Sequence, residues 1–286
     1  MEKTKMNHHA KMKLLLGLLV CVAVVGAFYL KTSTNALHGL NSHADELPQV
    51  HWQHATTPFA LKIIDHTTTN WNNTLENITK KWSAADVINY QITPSKAPFQ
   101  CYPIVMPPSD TGMHVCNINE ENDWLAIAGY TQLADSPHIY YGLVVLNDFY
   151  LNNESSEYST DAWRNKLVCE YLGWTEGLPF RLDVGDDSNS CMNLDYGFGN
   201  VHKQQYPDQI DLDSMKLIYR NHIDPIMPSS EGVTTKSTKQ KVTNQSLQDG
   251  KFGRLVETIN NGTTEIYQLE LADGSKMNTL IQRARH

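Results

Sequence analysis

The chain has 286 residues, 41% of them hydrophobic and 19% charged, with a formal net charge of -8. That composition excludes a disordered or fibrous chain and suffices for one good-sized domain with accessories. Within residues 1–31, Lys3, Lys5, Lys11, Lys13 and Lys31 are opposed only by Glu2, which leaves +4 there and -12 on the remainder. An acidic body argues against nucleic-acid binding, because phosphate contacts need a basic surface.

In chain order, four lysines precede an apolar run of 17 residues from Leu14 to Leu30. A positive flank before an apolar stretch is how exported chains begin. Residues 1–36 therefore predict either a signal peptide, with a small-residue site at Thr34-Asn35-Ala36, or an uncleaved membrane anchor built on residues 14–30. Both alternatives make the protein extracytoplasmic from about residue 37, secreted or membrane-anchored. Residues 37–57, in a polar stretch that starts at 31, read as a linker. Its histidines, His38, His43, His51 and His54, are expected to be solvated, with no metal-ligand spacing among them.

Residues 58–228 read as the main domain, of the α+β class. Phe59–Asp65 has strand character, and Trp71 to Trp82 places Trp71, Leu75, Ile78 and Trp82 at helical steps. Val87–Thr93 alternates as a strand does, Pro94–Asp110 is proline-rich loop, and Trp124–Ala128 and His138–Leu146 are apolar strands. After a polar loop at Asn147–Ser159, Thr160 caps a helix that runs to Gly173 or Trp174, with Asp161 in its first turn. A further helix at Asp211–Asn221 turns Leu212, Met215, Ile218 and Tyr219 to one face. Residues 229–250, rich in Ser, Thr, Lys and Gln, read as a second linker. In residues 251–286, strands at Arg254–Ile259, Thr264–Leu271 and Lys276–Gln282 alternate with turns at Asn260-Asn261-Gly262 and Asp273-Gly274. This β-meander either packs on the main domain or serves as a separate contact module.

Besides Cys21 the chain holds Cys101, Cys116, Cys169 and Cys191. An even number in an exported domain predicts two disulfides. Three pairings are open, and local closure favours Cys101–Cys116 and Cys169–Cys191, each contributing roughly 3 kcal/mol by restricting the unfolded chain. The acidic run at Asp183, Asp186 and Asp187 offers oxygen ligands but lacks the full EF-hand pattern, so it reads as a solvated loop. His114, His138, His202 and His222 are scattered.

One set of segments carries a resemblance. Lys166–Phe180 reads KLVCEYLGWTEGLPF and is followed by Ser190-Cys191-Met192-Asn193 and by Tyr206-Pro207-Asp208-Gln209. Lys81–Val87, Val115-Cys116-Asn117, Trp124–Ala128 and Asp161–Asn165 lie upstream in matching order. This layout, over roughly residues 58–224, resembles the exported matrixin-like zinc metalloproteases of the metzincin group. The resemblance implies a mixed sheet with an active-site helix and a C-terminal helix, and a helix motif H-E-x-x-H-x-x-G-x-x-H that holds zinc. Two histidines four residues apart share a helix face, the intervening Glu activates the zinc-bound water, and glycine turns the chain back toward the metal.

Carried over onto this chain, the turning glycine falls on Gly177 and the Met-turn on Met192. The ligand positions fall on Glu170, Trp174 and Phe180, and the base on Tyr171. Indole and phenyl rings offer a metal no lone pair, and a tyrosine is a poor carboxylate substitute at neutral pH. The resemblance therefore implies a pseudoenzyme without bound zinc or other cofactor, in which Trp174 and Phe180 plug the former metal cavity. As a binding module it would hold a peptide or protein in the former substrate cleft, with His138–Leu146 as the edge strand that adds a peptide. Two alternatives stay open: an active zinc endopeptidase using Glu170 with ligands from elsewhere such as Asp183–Asp187, and a structural envelope protein whose former cleft is closed.

Overall fold

The computed structural model describes residues 50–95, 101, 111–181, 189–194, 200–220, 223–224, 252–259, 262–271 and 273–284. The signal or anchor segment, the Asp183–Asp187 run, His222 and the 229–250 linker lie outside the described residues. In chain order the strands are β1 (His51–Trp52), β2 (Phe59–His66), β3 (Ile88–Pro94), β4 (Gly112–Ile118), β5 (Trp124–Gln132), β6 (His138–Asn147), β7 (Arg254–Ile259), β8 (Thr264–Glu270) and β9 (Lys276–Arg283). The helices are α1 (Asn72–Trp82), α2 (Asp148–Leu151), α3 (Asp161–Thr175) and α4 (Gln209–Arg220).

The strands form one mixed sheet in the order β3-β2-β4-β6-β5-β9-β8-β7. β2 runs parallel to β3 and β4, and β4 parallel to β6. β5 reverses direction, and β9, β8 and β7 continue antiparallel from it. Strands β5 and β6 are buried on both faces. Ala126, Ala128, Val144 and Leu146 join the main core under α1 and α3, while Ile127, Leu143 and Val145 join a second cluster with Cys116, Tyr141 and Ile281. Side chains alternate across a strand, so apolar layers on both faces require the continuous run GLVVL. Trp71, Leu75, Ile78 and Trp82 are all buried, as their helical spacing predicts, and each contributes roughly 1.5–3 kcal/mol through apolar burial.

The arrangement corrects three expectations. His138–Leu146 is not an edge strand: β6 is hydrogen-bonded to β4 on one side and β5 on the other, so no peptide can add to it. His51 and His54 are not solvated but buried, at 1% and 4% exposure, because β1 pairs in parallel with the start of β6 and draws them inside. The loop expected at Asn147–Ser159 opens with the short helix α2, where the Asn147 side chain accepts from the Phe149 N–H. Strand β4 had no counterpart in the sequence reading. The meander forms at the expected places and does not stand apart, since β9 pairs with β5 from Trp124↔Arg283 to Gln132↔Lys276. Both expected disulfides, Cys101–Cys116 and Cys169–Cys191, are present, and such bonds mark an oxidising, extracytoplasmic setting. Among the described residues, no helix is long and apolar enough to cross a membrane.

Candidate functional site

Helix α3 starts where Thr160 caps it, its side chain accepting from the Trp163 N–H at 3.3 Å, with Asp161 in the first turn. It ends in a Schellman turn: Gly177 N–H donates to the Trp174 carbonyl and Leu178 N–H to the Gly173 carbonyl, both at 3.0 Å. Gly177 has φ +87°, and a Cβ there would overlap the Val50 carbonyl oxygen. Glycine thus serves both the left-handed turn and the close passage of the chain entering β1. Met192 lies directly against the helix, since a Cβ on Gly173 would come within 2.5 Å of its sulfur.

The Met192 segment is braced from three sides. Cys191 is bonded to Cys169 on α3. The Ser190 hydroxyl accepts from the Met192 N–H at 2.8 Å and donates to Asp211 of α4 at 2.6 Å. Lys166 of α3 donates to the carbonyls of Cys191 and Asn193 at 2.5 and 2.7 Å.

That lysine decides the chemistry at Glu170, which the resemblance carries over as the first ligand position. Lys166 Nζ also lies 2.8 Å from Glu170 Oε2, and both side chains are fully buried. An ammonium group occupies the place where a cation would bind this carboxylate. Tyr171, which the resemblance carries over as the base position, is fully buried and donates to the Ala126 carbonyl at 3.2 Å. Burial, with a smaller effect from the Glu170 charge, pushes its phenol well above the ordinary tyrosine range despite a backbone hydrogen bond from Gln282. It is a fixed proton donor, not a base. Trp174 and Phe180, which the resemblance carries over as the other two ligand positions, are rings stacked at 4.8 Å and 7°. Tyr130 of β5 closes against Trp174 at 5.6 Å. These residues do not fit a zinc ion: one carboxylate is taken by a lysine, and the two ring positions have no lone pair to offer a metal.

Sequence reasoning missed a second constellation just beyond the C-terminal end of α3. The register His51↔His138 of the parallel pair β1–β6 sets the two histidines side by side. Asp224 Oδ1 meets His51 Nε2 at 3.2 Å and His138 Nε2 at 2.8 Å. Its other oxygen, Oδ2, accepts from the His54 N–H at 2.8 Å, and the Asp224 N–H donates to the His54 carbonyl at 3.0 Å. The His54 ring nitrogens lie 3.1 Å from the Trp52 carbonyl and 2.9 Å from the Tyr219 carbonyl. Burial alone would raise the Asp224 carboxyl, but the His54 backbone hydrogen bond and the two imidazoles outweigh it and hold the group well below the usual carboxylate range. Nearby, the Tyr219 hydroxyl accepts from Trp52 N–H at 3.3 Å and donates to the Glu176 carbonyl at 2.8 Å. The Glu176 carboxyl is fully buried, with no hydrogen-bond partner in normal geometry on either oxygen. Burial pushes its pKa up to about 8, a rise that the Tyr90 hydroxyl offsets only in part.

No family model matches the chain, and no curated protein does. Among solved structures it is similar to high choriolytic enzyme 1, a hatching-enzyme zinc protease from the medaka fish Oryzias latipes. The likeness has 9% sequence identity, 60% of this chain and 94% of that chain covered, and a TM-score of 0.30. At that score the likeness is distant and assigns no residue a role.

Proposed function

We propose that the chain is a catalytically inactive, metalloprotease-like extracytoplasmic protein, secreted or anchored through residues 14–30, that acts by binding an extended peptide or a protein. The observation that carries the inactivity is the buried Lys166–Glu170 pair at 2.8 Å, which sets an ammonium where a metal ion would need to be. The stacked Trp174 and Phe180 rings support it from the other two ligand positions.

Binding is assigned to the free edge of the meander in place of β6. Strand β7 is exposed along nearly its whole length and is paired only with β8 among the described residues. Leu255 and Val256 stand on it at 47% and 52% exposure. An exposed apolar edge strand offers unpaired backbone groups and side-chain contacts to an added strand. A structural envelope role is the second reading, favoured by the same aromatic pair, because rings that stack on each other are engaged within the fold.

The test is a fluorogenic peptide library offered to the purified protein in excess zinc, followed by selection of binding peptides from a displayed random library. We expect no chelator-sensitive cleavage, and enriched extended peptides that lose binding to Val256→Pro. Cleavage abolished by Glu170→Gln would overturn the inactive reading. Absence of any Val256-dependent peptide would leave the structural role in place of the binding one.

A further inference from the structure

We infer that His51, His138 and Asp224 form a binding site for one divalent transition-metal ion of the zinc type, which clamps the chain entering the sheet to the segment leaving α4. The three side chains each present one ligand atom, and these atoms lie within 4.8 Å of one another. The donor set, two imidazoles and one carboxylate, suits zinc and its first-row neighbours and does not suit calcium or magnesium, which prefer all-oxygen shells. Ligand atoms held at about 2.0–2.1 Å around one tetrahedral ion sit roughly 3.3 Å apart. The observed separations from Asp224 Oδ1 to the two Nε2 atoms, 3.2 Å to His51 and 2.8 Å to His138, lie just below that spacing and somewhat below it, respectively. An ion entering there displaces the protons shared between the rings and the carboxylate and lengthens the shorter contact by a fraction of an ångström.

Two further observations separate this site from an ordinary hydrogen-bonded trio. The carboxylate is aimed by other groups: Oδ2 is held by the His54 N–H, and the Asp224 backbone is tied to the His54 carbonyl, which leaves Oδ1 directed at both imidazoles. Outer-shell hydrogen bonds of this kind orient metal ligands. Access is also one-sided. His51 and Asp224 side chains are 1% exposed, whereas His138 is 17% exposed, so an ion reaches the site past His138 and can keep water as a fourth ligand. The clamp joins residues 173 positions apart in sequence.

The site is separate from the filled positions on α3, and the two readings fail in different ways. The full chain is stripped with chelator, dialysed against zinc and then against buffer, and analysed for bound metal, melting temperature and, with cobalt in place of zinc, visible absorption. His138→Gln is the informative variant, because the amide can still donate to Asp224 yet is a poor zinc ligand. His202→Ala, an exposed histidine elsewhere, is the control. We expect about one zinc per chain in wild type and in His202→Ala, with at least about tenfold weaker retention in His138→Gln. Zinc should raise the melting temperature by roughly 5 °C or more in the first two proteins only, and cobalt should give the intense visible bands of a four-coordinate ion. Wild type that releases zinc on dialysis, or zinc and a melting shift that persist in His138→Gln, overturns the proposal. Zinc-dependent cleavage lost in His138→Gln would keep this site and overturn the inactive reading instead.

Discussion

Two regions bury charged groups in the same molecule and resolve them differently. On α3, Glu170 meets the ammonium of Lys166, while beyond the end of the helix Asp224 meets the imidazoles of His51 and His138. Both satisfy a carboxylate that burial alone would neutralise. An ammonium has donors and no lone pair, so the α3 pair is closed to metal ions. An imidazole has a lone pair as well as a proton, so the same electrostatic solution leaves the second region open to one. The partner of the carboxylate, not its burial, separates a pair closed to metal ions from the cluster proposed to hold one.

The largest expected effect breaks the first region. Lys166→Met leaves Glu170 buried without its cation and the Cys191 and Asn193 carbonyls without their donor. Chemical denaturation should show a loss of ~3–5 kcal/mol. A Lys166→Met/Glu170→Leu double variant should recover much of it, since apolar residues replace buried ion pairs well.

Next in size is Glu176, a buried acid at the end of α3. Burial holds the proton on Glu176 in the folded state up to about pH 8, whereas the unfolded chain releases it near the ordinary glutamate value of 4.5. The folded state binds the extra proton between those values, so stability falls as pH rises through that window. Glu176→Gln should match wild type near pH 4 and exceed it increasingly toward pH 8, by up to ~3 kcal/mol at neutral pH at about 1.4 kcal/mol per unit. Parallel stability curves for the two proteins would contradict this.

Trp174→Ala removes a half-buried ring from Phe180 and Tyr130. Because the ring is only half-buried, the cost should be ~2 kcal/mol, below the range for fully buried tryptophan, and added zinc should stabilise this variant no more than it stabilises wild type. Smallest is Asp123→Asn, which removes the carboxylate charge and one of the two acceptors, each 2.8 Å from Arg283, that tie the end of β9 beside β5. The pair is exposed, so melting should shift by less than the equivalent of ~1 kcal/mol.

The sequence made some of this legible and hid the rest for physical reasons. The meander and helices α1, α3 and α4 declared themselves through turn dipeptides, caps and periodic apolar residues, which are local signals. The failure at β6 was avoidable: an unbroken apolar run marks a strand covered on both faces, which is central and not an edge. Strand β4 (GMHVCNI) follows a proline-rich stretch and carries His114 and Asn117, so its pattern is weak. Lys166 and Glu170, four residues apart on a helix, read like any surface pair; only the packed fold puts both out of water. The His51–His138–Asp224 cluster has no sequence signal, because its members come from a polar stretch, a strand start and a segment after α4. Only the register of two parallel strands brings the histidines together.

Under the proposed function, the positions that the resemblance carries over as zinc ligands, on α3 and in the turn after it, hold a lysine–glutamate pair and stacked rings in place of a metal. An anomalous difference map at the zinc edge, from crystals of the full chain soaked in zinc, tests it most directly. The account predicts no peak within bonding distance of Glu170, with Lys166 Nζ still about 2.8 Å from its carboxylate, and a peak between His51, His138 and Asp224. A zinc peak coordinated by Glu170, with the lysine displaced, would contradict it.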